Sequence, residues 1–331
     1  MRANLIFTFI NYPVITLYPD VVSIGEPMAE FCATGIGRLG QVDLFKRGWG
    51  GDTSNFAVAV ARLGGEAGYL CRIGDDEFGR SFKALWRREG VDASRVVVDP
   101  HASTAVYFIS LTEDLEHDFT YYRAGSAASR YSRDDLDREY VRKAKVLHSS
   151  GISLAVSQSL REAVFEAVDL CKTGGGLFSF DPNFRPKLWS INTARAVMEY
   201  AFRRADVVLS SIEDMHLLYG VRDRVKAAEK LRGLGASVVA IKLGSEGCYV
   251  TSDEGSRHVP GFRVEVVDTT GSGDAFDAAF VVGLLEGWDL NKTAIFANAV
   301  GALTTTAHGA VAPLPNRERA LNLMNMRESG G

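Results

Sequence analysis

Disulfide and zinc chemistry are the first things this sequence does without. Its 331 residues hold four cysteines, Cys32, Cys71, Cys171 and Cys248, far apart and with no C-x-x-C pair. That excludes a disulfide framework and a zinc ribbon, and it predicts reduced core thiols in a cytoplasmic protein. Charge of one sign is lacking too. With 37 basic against 41 acidic residues the formal net charge is −4, so no global basic field exists to collect nucleic acid or an acidic membrane, and any bound anion must be held by local groups. No apolar run is long enough to span a bilayer. LIFTFINYPVITLY, Leu5 to Tyr18, is too short, is interrupted by Pro13, and leads to Asp20 rather than to a small-residue cleavage site. It reads as an N-terminal extension, residues 1–19. No repeat, low-complexity tract or Pro/Ser-rich linker divides the rest, so a single domain over residues 20–331 is expected.

What is present is alternation. Short apolar runs suited to strands, VVSIG, KVLHSSG, LFSFDPN, DVVLSS and SVVAIKLG, are separated by amphipathic stretches suited to helices. The latter are TSNFAVAVARLGG, SQSLREAVFEAVDLCKTGG, NTARAVMEYAFRRA and DRVKAAEKLRGLG, several of them closed by glycine. This order predicts a doubly wound α/β fold, a mostly parallel sheet with helices on both faces and ligands at the carboxyl ends of its strands. One segment departs from it. Thr104 to Arg123 reads strand, acidic turn, strand, a hairpin outside the parallel sheet that serves as a lid or as a dimer face.

The stretch DTTGSGDAFDAAF, Asp268 to Phe280, is neither a Walker A loop, lacking the lysine and the spacing, nor a dinucleotide fingerprint, with Phe276 where the third glycine belongs. A strand, FRVEVVD, is expected to feed a glycine turn and a helix beginning at or near Asp274. Such a turn brings backbone N–H groups close to an anion, and an aspartate beside it is placed to accept a proton from an attacking hydroxyl. Alone, the pattern favours a turn in which Asp274 caps the helix.

The loop resembles the second signature of the ribokinase-like (PfkB) sugar kinases through Asp268, Thr269, Gly271, Ser272, Gly273, Asp274, Ala278, Ala279 and Phe280. The family's first signature is matched by Gly50, Gly51, Asn55, Ala57, Gly64 and Gly74, although Asp52 to Ser54 replace the small residues often found there. The resemblance runs from about Val21 to Pro315 and implies the ribokinase-like fold with a small β lid, from segments near 27–48 and 103–124. It also implies ATP-dependent phosphorylation of a sugar hydroxyl, with Asp274 as general base and the N–H groups of Gly271, Ser272, Gly273 and Asp274 as the anion hole. Lys242, Gly244 and Gly247 of KLGSEG, with Asp268, Asn298, Asn183 and Ser211, belong by the same resemblance to the nucleotide site. Read alone, KLGSEG is a hairpin turn and the helix carrying Asn298 a core helix. Magnesium is implied by the chemistry and a monovalent cation is left open. Where the family often carries Asn-x-x-Glu for magnesium, this chain has Ser211 and Asp214 with Glu213 between them, so Glu213 and Asp214 are the candidate metal contacts and their contact with the ion is open.

Arginine forks suit carboxylates, and two arginines qualify: Arg185, just past the strand end in DPNFRPKLW, and Arg123, at the end of the hairpin in FTYYRAGSAAS. These strings, with HSSGISLA, are more similar to 2-keto-3-deoxygluconate kinases than to fructokinases. That likeness implies a sugar-acid carboxylate held by Tyr121, Arg123 and Arg185, with Gly51, Asn55 and Tyr107 on the remaining groups, and phosphorylation at O6. The alternatives are a fructokinase or other neutral-sugar kinase, and more remotely a non-catalytic sugar or nucleotide sensor. The expected partners are sugar and ATP, with no nucleic acid and no membrane, in a homo-oligomer for which the lid is a candidate dimer face. His148 and His308 are read as structural, WRREG as a solvated helix end and Phe56 as core.

Overall fold

The computed structural model describes residues 18–111 and 117–328; the extension before Tyr18 and the acidic turn at 112–116 lie outside them. The strands are β1 (Val21–Ile24), β2 (Met28–Ile36), β3 (Phe45–Gly50), β4 (Ala67–Leu70), β5 (Arg72–Gly74), β6 (Val97–Asp99), β7 (Ala105–Leu111), β8 (His117–Tyr122), β9 (Val146–Ser150), β10 (Leu177–Asp181), β11 (Val207–Ser211), β12 (Val238–Lys242), β13 (Cys248–Ser252) and β14 (Gly255–Val259). The helices are α1 (Asp52–Arg62), α2 (Glu77–Glu89), α3 (Arg138–Lys143), α4 (Gly151–Val156), α5 (Gln158–Thr173), α6 (Ile191–Phe202), α7 (Ile212–Tyr219), α8 (Arg224–Leu234), α9 (Ser272–Leu285), α10 (Leu290–Thr304) and α11 (Arg317–Glu328).

Eight strands form one sheet in the order β14-β13-β12-β11-β10-β9-β1-β4. Pairing is parallel from β4 through β12, and only the β12–β13 and β13–β14 pairs are antiparallel. The apolar runs of the sequence become central strands because both sheet faces are covered. Successive side chains of a strand point to opposite faces, so β12 sends Val239 and Ile241 into one buried layer and Ala240 into the other, and β11 splits Val207 and Leu209 from Val208. One layer gathers Phe56, Trp86, Phe280 and Phe296 from α1, α2, α9 and α10; the other gathers Val164, Met198, Met215 and Leu231 from α5, α6, α7 and α8. Helix starts follow local chemistry, the Ser157 hydroxyl accepting from the Leu160 N–H and the Asp223 carboxylate from that of Lys226.

A second sheet, in the order β3-β2-β7-β8, stands off the first. β7 and β8 are the expected antiparallel hairpin, with Tyr107 opposite Tyr121 and both therefore on one face. What the sequence did not announce is the parallel pairing of β2 with β7. It joins segments seventy-odd residues apart, and local pattern carries no information about such a partner.

One expectation needs correction and another is sharpened. FRVEVVD forms no strand: its alternation finds no sheet edge, and Val267 and Asp268 N–H instead donate to the Thr305 carbonyl at the end of α10. The following helix starts at Ser272, two residues before Asp274, because Gly271 at φ 77° takes the left-handed turn that begins it.

Candidate active site

The carboxyl ends of β1, β10, β11 and β12, the inner face of the second sheet and the start of α9 enclose a cavity of about 930 Å³. Of the residues singled out by sequence, Gly51, Asn55, Tyr107, Tyr121, Arg123, Asn183, Arg185, Ser211, Glu213, Asp214, Lys242, Gly244, Asp268 and the turn Gly271 to Asp274 all line it. Gly247 and Asn298 do not. They line a second cavity of about 640 Å³, which shares Lys242, Gly244, Ser272 and Gly273 with the first. The two spaces therefore meet at the Gly271–Asp274 turn, the geometry required for handing a group from a ligand in one to a ligand in the other.

Asp274 is not a helix cap. It sits in the first turn of α9, whose cap position makes no side-chain hydrogen bond, and its Oδ2 accepts from Asn55 Nδ2 on α1 at 2.8 Å. Burial raises its pKa to about 7, helped by the charges of Asp52 and Asp181 and opposed by the Asn55 hydrogen bond and Lys242. A carboxylate so tuned can take a proton near neutral pH. Asn55 is itself 4% exposed, and its Oδ1 has no partner among the described residues. A buried acceptor left open in a cavity is suited to a ligand hydroxyl.

Of the four N–H groups expected to form the anion hole, that of Ser272 is already given to the Thr269 carbonyl. Those of Gly271, Gly273 and Asp274 remain for an anion at the helix start. Glycine is obligatory at two points. A Cβ on Gly271 would lie 2.8 Å from the Ala310 carbonyl oxygen, and one on Gly51, at φ 94°, only 2.3 Å from that of Glu26.

Glu26, fully buried at the end of β1, holds Arg123 through a 2.6 Å ion pair and accepts from the Ser126 hydroxyl at 2.7 Å. Burial raises the Glu26 pKa against the pull of Arg123. Arg185, by contrast, is exposed at the cavity edge and pairs with no carboxylate among the described residues. Asn183, at the left-handed φ of 34°, donates through Nδ2 to Asp52 Oδ2 at 3.0 Å. With Ser211 it stands on the first cavity, not the second. Asn298 donates to the carbonyls of Val259 and Pro260 and so ties α10 to β14.

The metal candidates differ in availability. Asp214 accepts from the Ser211 hydroxyl and the Phe184 N–H and also forms a capping box with Ser211, whose N–H it accepts from, whereas Glu213 is exposed beside it. Among the described residues no group of three or more His, Cys, Asp or Glu side chains is disposed to hold a metal. The donor set suits an ion that arrives on phosphate oxygens and keeps its waters. His148 lies stacked on Phe56 with Nδ1 3.1 Å from the Ser179 hydroxyl, and burial lowers its pKa to about 3; it is a neutral core residue. His308 lies 3.9 Å from Asp268.

Sequence reasoning missed Glu26, Asp52, Asp181 and Asp277. The signal for Asp181 was available in its place at the end of β10, while Glu26 becomes legible only through Arg123, ninety-seven positions away.

The sequence profile of the pfkB family carbohydrate kinases matches residues 19–317. A fructokinase-1 from Zea mays is 38% identical over 92% of this chain and 97% of its own length. A 2-dehydro-3-deoxygluconokinase from Thermoproteus tenax is 37% identical over 92% of this chain and 94% of its own. An E. coli protein described as a ribokinase II, solved in complex with ATP and Mg2+, superposes with a TM-score of 0.86 at 27% identity, covering 93% of this chain and 99% of that one. With this fold and both signature loops converging on one cavity, the chain belongs to the PfkB family of carbohydrate kinases.

Proposed function

We propose that this kinase transfers the γ-phosphate of ATP to the 6-hydroxyl of 2-keto-3-deoxygluconate. The observation that carries this reading is the convergence of Arg123, Arg185 and Tyr121 on the cavity that Asp274 also lines. A sugar acid spans such a cavity with its carboxylate at the arginines and its terminal hydroxyl at the base. Tyr107, Gly51 and the open Asn55 Oδ1 meet the groups between. Asp274 accepts the hydroxyl proton as the oxygen attacks phosphorus. The N–H groups of Gly271, Gly273 and Asp274 receive the charge developing on the phosphoryl oxygens. ATP extends into the second cavity past Gly244, Gly247 and Asn298. Magnesium on the nucleotide would neutralise phosphate charge, with Glu213 and Asp214 as the side chains that would face it, Asp214 through water because its oxygens are engaged. The second sheet acts as the lid that excludes water.

One observation favours a second reading. The Glu26 carboxylate neutralises Arg123, which leaves a single unpaired guanidinium and suits a neutral ketohexose, as for a fructokinase. A coupled ATP-consumption screen over 2-keto-3-deoxygluconate, gluconate, fructose, ribose and a nucleoside separates the two. The proposal expects the first substrate to give the highest kcat/KM, and a preference for fructose would replace it with the second reading.

The base assignment also fixes a pH dependence. Asp274 must be ionised to act, and its pKa is raised to about 7, so kcat/KM should fall about tenfold per pH unit below neutrality and level off above it. A rate profile that stays flat down to pH 5 would contradict it.

A further inference from the structure

One helical turn beyond Asp274, α9 carries a second aspartate whose carboxylate is 1% exposed. Asp277 accepts from Lys242 Nζ at 2.9 and 3.2 Å, and Asp181 accepts from the same ammonium at 3.0 Å. The two carboxylates are close enough to share a hydrogen bond with each other. Three elements thus place three charged groups at one buried point: the ends of β10 and β12, and the first turns of α9. This point is not remote from the chemistry. A Cβ on Gly273 would lie 3.6 Å from the Lys242 Nζ, so the ammonium stands directly against the anion-hole turn, and its charge acts on Asp274.

We propose that Asp277 and Asp181 are positioning residues, which clamp the Lys242 ammonium against the Gly271–Asp274 turn so that it serves as a fixed positive pole for both the base and the transferring phosphoryl group. The proposal rests on Asp274 being the base. A lysine free to move would pair with Asp274 itself or follow the nucleotide phosphates; held from behind by two carboxylates it does neither. The protonation directions agree with a neutral clamp. Burial raises the Asp277 pKa well above the ordinary carboxylate range, while Lys242 holds Asp181 low despite its burial. Burial also works against the Lys242 charge, but the two aspartates outweigh it and raise its pKa. One proton on Asp277, donated to Asp181, then leaves one negative and one positive charge. The other titratable groups acting on these residues are Asp52 from α1, His148 from β9 and Asp214 from α7. None of them reverses that balance, since His148 is neutral.

The test compares Lys242→Met, Asp277→Leu and Asp277→Asn in the full-length enzyme with sugar and MgATP. Folding is checked by circular dichroism and melting. Lys242→Met and Asp277→Leu should each lower kcat about 100-fold while the sugar KM stays within about threefold, since misplacing a group by an ångström costs that much. In Lys242→Met the acid limb of the pH profile should move up by about one unit, because Asp274 loses an opposite charge. Asp277→Asn keeps an acceptor for Lys242 and a donor for Asp181, and it should recover most of what Asp277→Leu loses, with the limb in place. Wild-type kcat and an unmoved limb in folded Lys242→Met would overturn the proposal, as would an Asp277→Asn enzyme as impaired as Asp277→Leu. If Asp277→Leu does not fold, the other two variants decide. Asp274→Asn run alongside reports on the base assignment separately: full turnover there removes the base, whereas a dead Asp274→Asn beside an unaffected Lys242→Met removes only the clamp.

Discussion

Asp274→Asn is expected to lower kcat by about 10³–10⁴-fold while leaving the dissociation constant for ATP within about threefold, because general-base catalysis contributes on that order and the side chain is not needed to hold the nucleotide. The substitution is unusually clean here. An asparagine keeps the length of the side chain and an oxygen to accept from Asn55 Nδ2, now 2.8 Å from Asp274 Oδ2, so the turn and its N–H groups stay in place. A second effect should accompany the first. The carboxyl is neutral at pH values below about 7 in the folded protein but only below about 4 in the unfolded chain. A group with its folded pKa raised this way costs stability as pH climbs through that window, and the full cost applies above pH 7. At ~1.4 kcal/mol per pH unit, discounted for the partial exposure of Asp274, that cost is roughly 2–4 kcal/mol. The variant should therefore melt higher than the wild type at pH 8 and lose most of that advantage at pH 5. Activity retained in Asp274→Asn would remove the base assignment.

Arg185→Ala is expected to lower kcat/KM for 2-keto-3-deoxygluconate by about 10–100-fold and to change kcat/KM for fructose less than about threefold. A charge-assisted hydrogen bond to a carboxylate contributes roughly 1.5–3 kcal/mol, and a neutral hexose offers no partner for it. Arg185 is the more informative of the two arginines because it pairs with no carboxylate among the described residues. Arg123→Ala mixes two effects: it would remove a ligand contact and also leave the buried Glu26 carboxylate without its 2.6 Å partner, a loss of order 3–5 kcal/mol in stability. Measured on both sugars, equal losses in Arg185→Ala would favour the neutral-sugar reading.

Much of the architecture was legible because it follows from local pattern. The runs ending in His148, Asp181, Ser211 and Lys242 are apolar at consecutive positions, which only a strand covered on both faces tolerates, and the helices between them carry their own caps and closing glycines. FRVEVVD shows the limit of the same reasoning. It alternates as a strand should, yet a strand also needs a neighbour, and here the available acceptor is the Thr305 carbonyl at a helix end. The pairing of β2 with β7 was invisible for the complementary reason: each strand was readable, but nothing in either names its partner.

The site divides along the same line. The resemblance to the two signature motifs isolated Asp274, Asn55 and the glycines, and at Gly51 and Gly271 the structure gives the reason: a left-handed turn with a close backbone approach admits no other residue. The family, and with it phosphoryl transfer to a sugar, was determined at that level. Only tertiary structure could decide that Asp274 is held by Asn55 instead of capping its own helix, that Glu26 occupies Arg123, and that Asp181 and Asp277 close on Lys242. Each depends on which buried charge meets which across distant parts of the chain. In a low-dielectric interior those meetings set protonation and the direction of a side chain, while composition and periodicity record only that the charges exist.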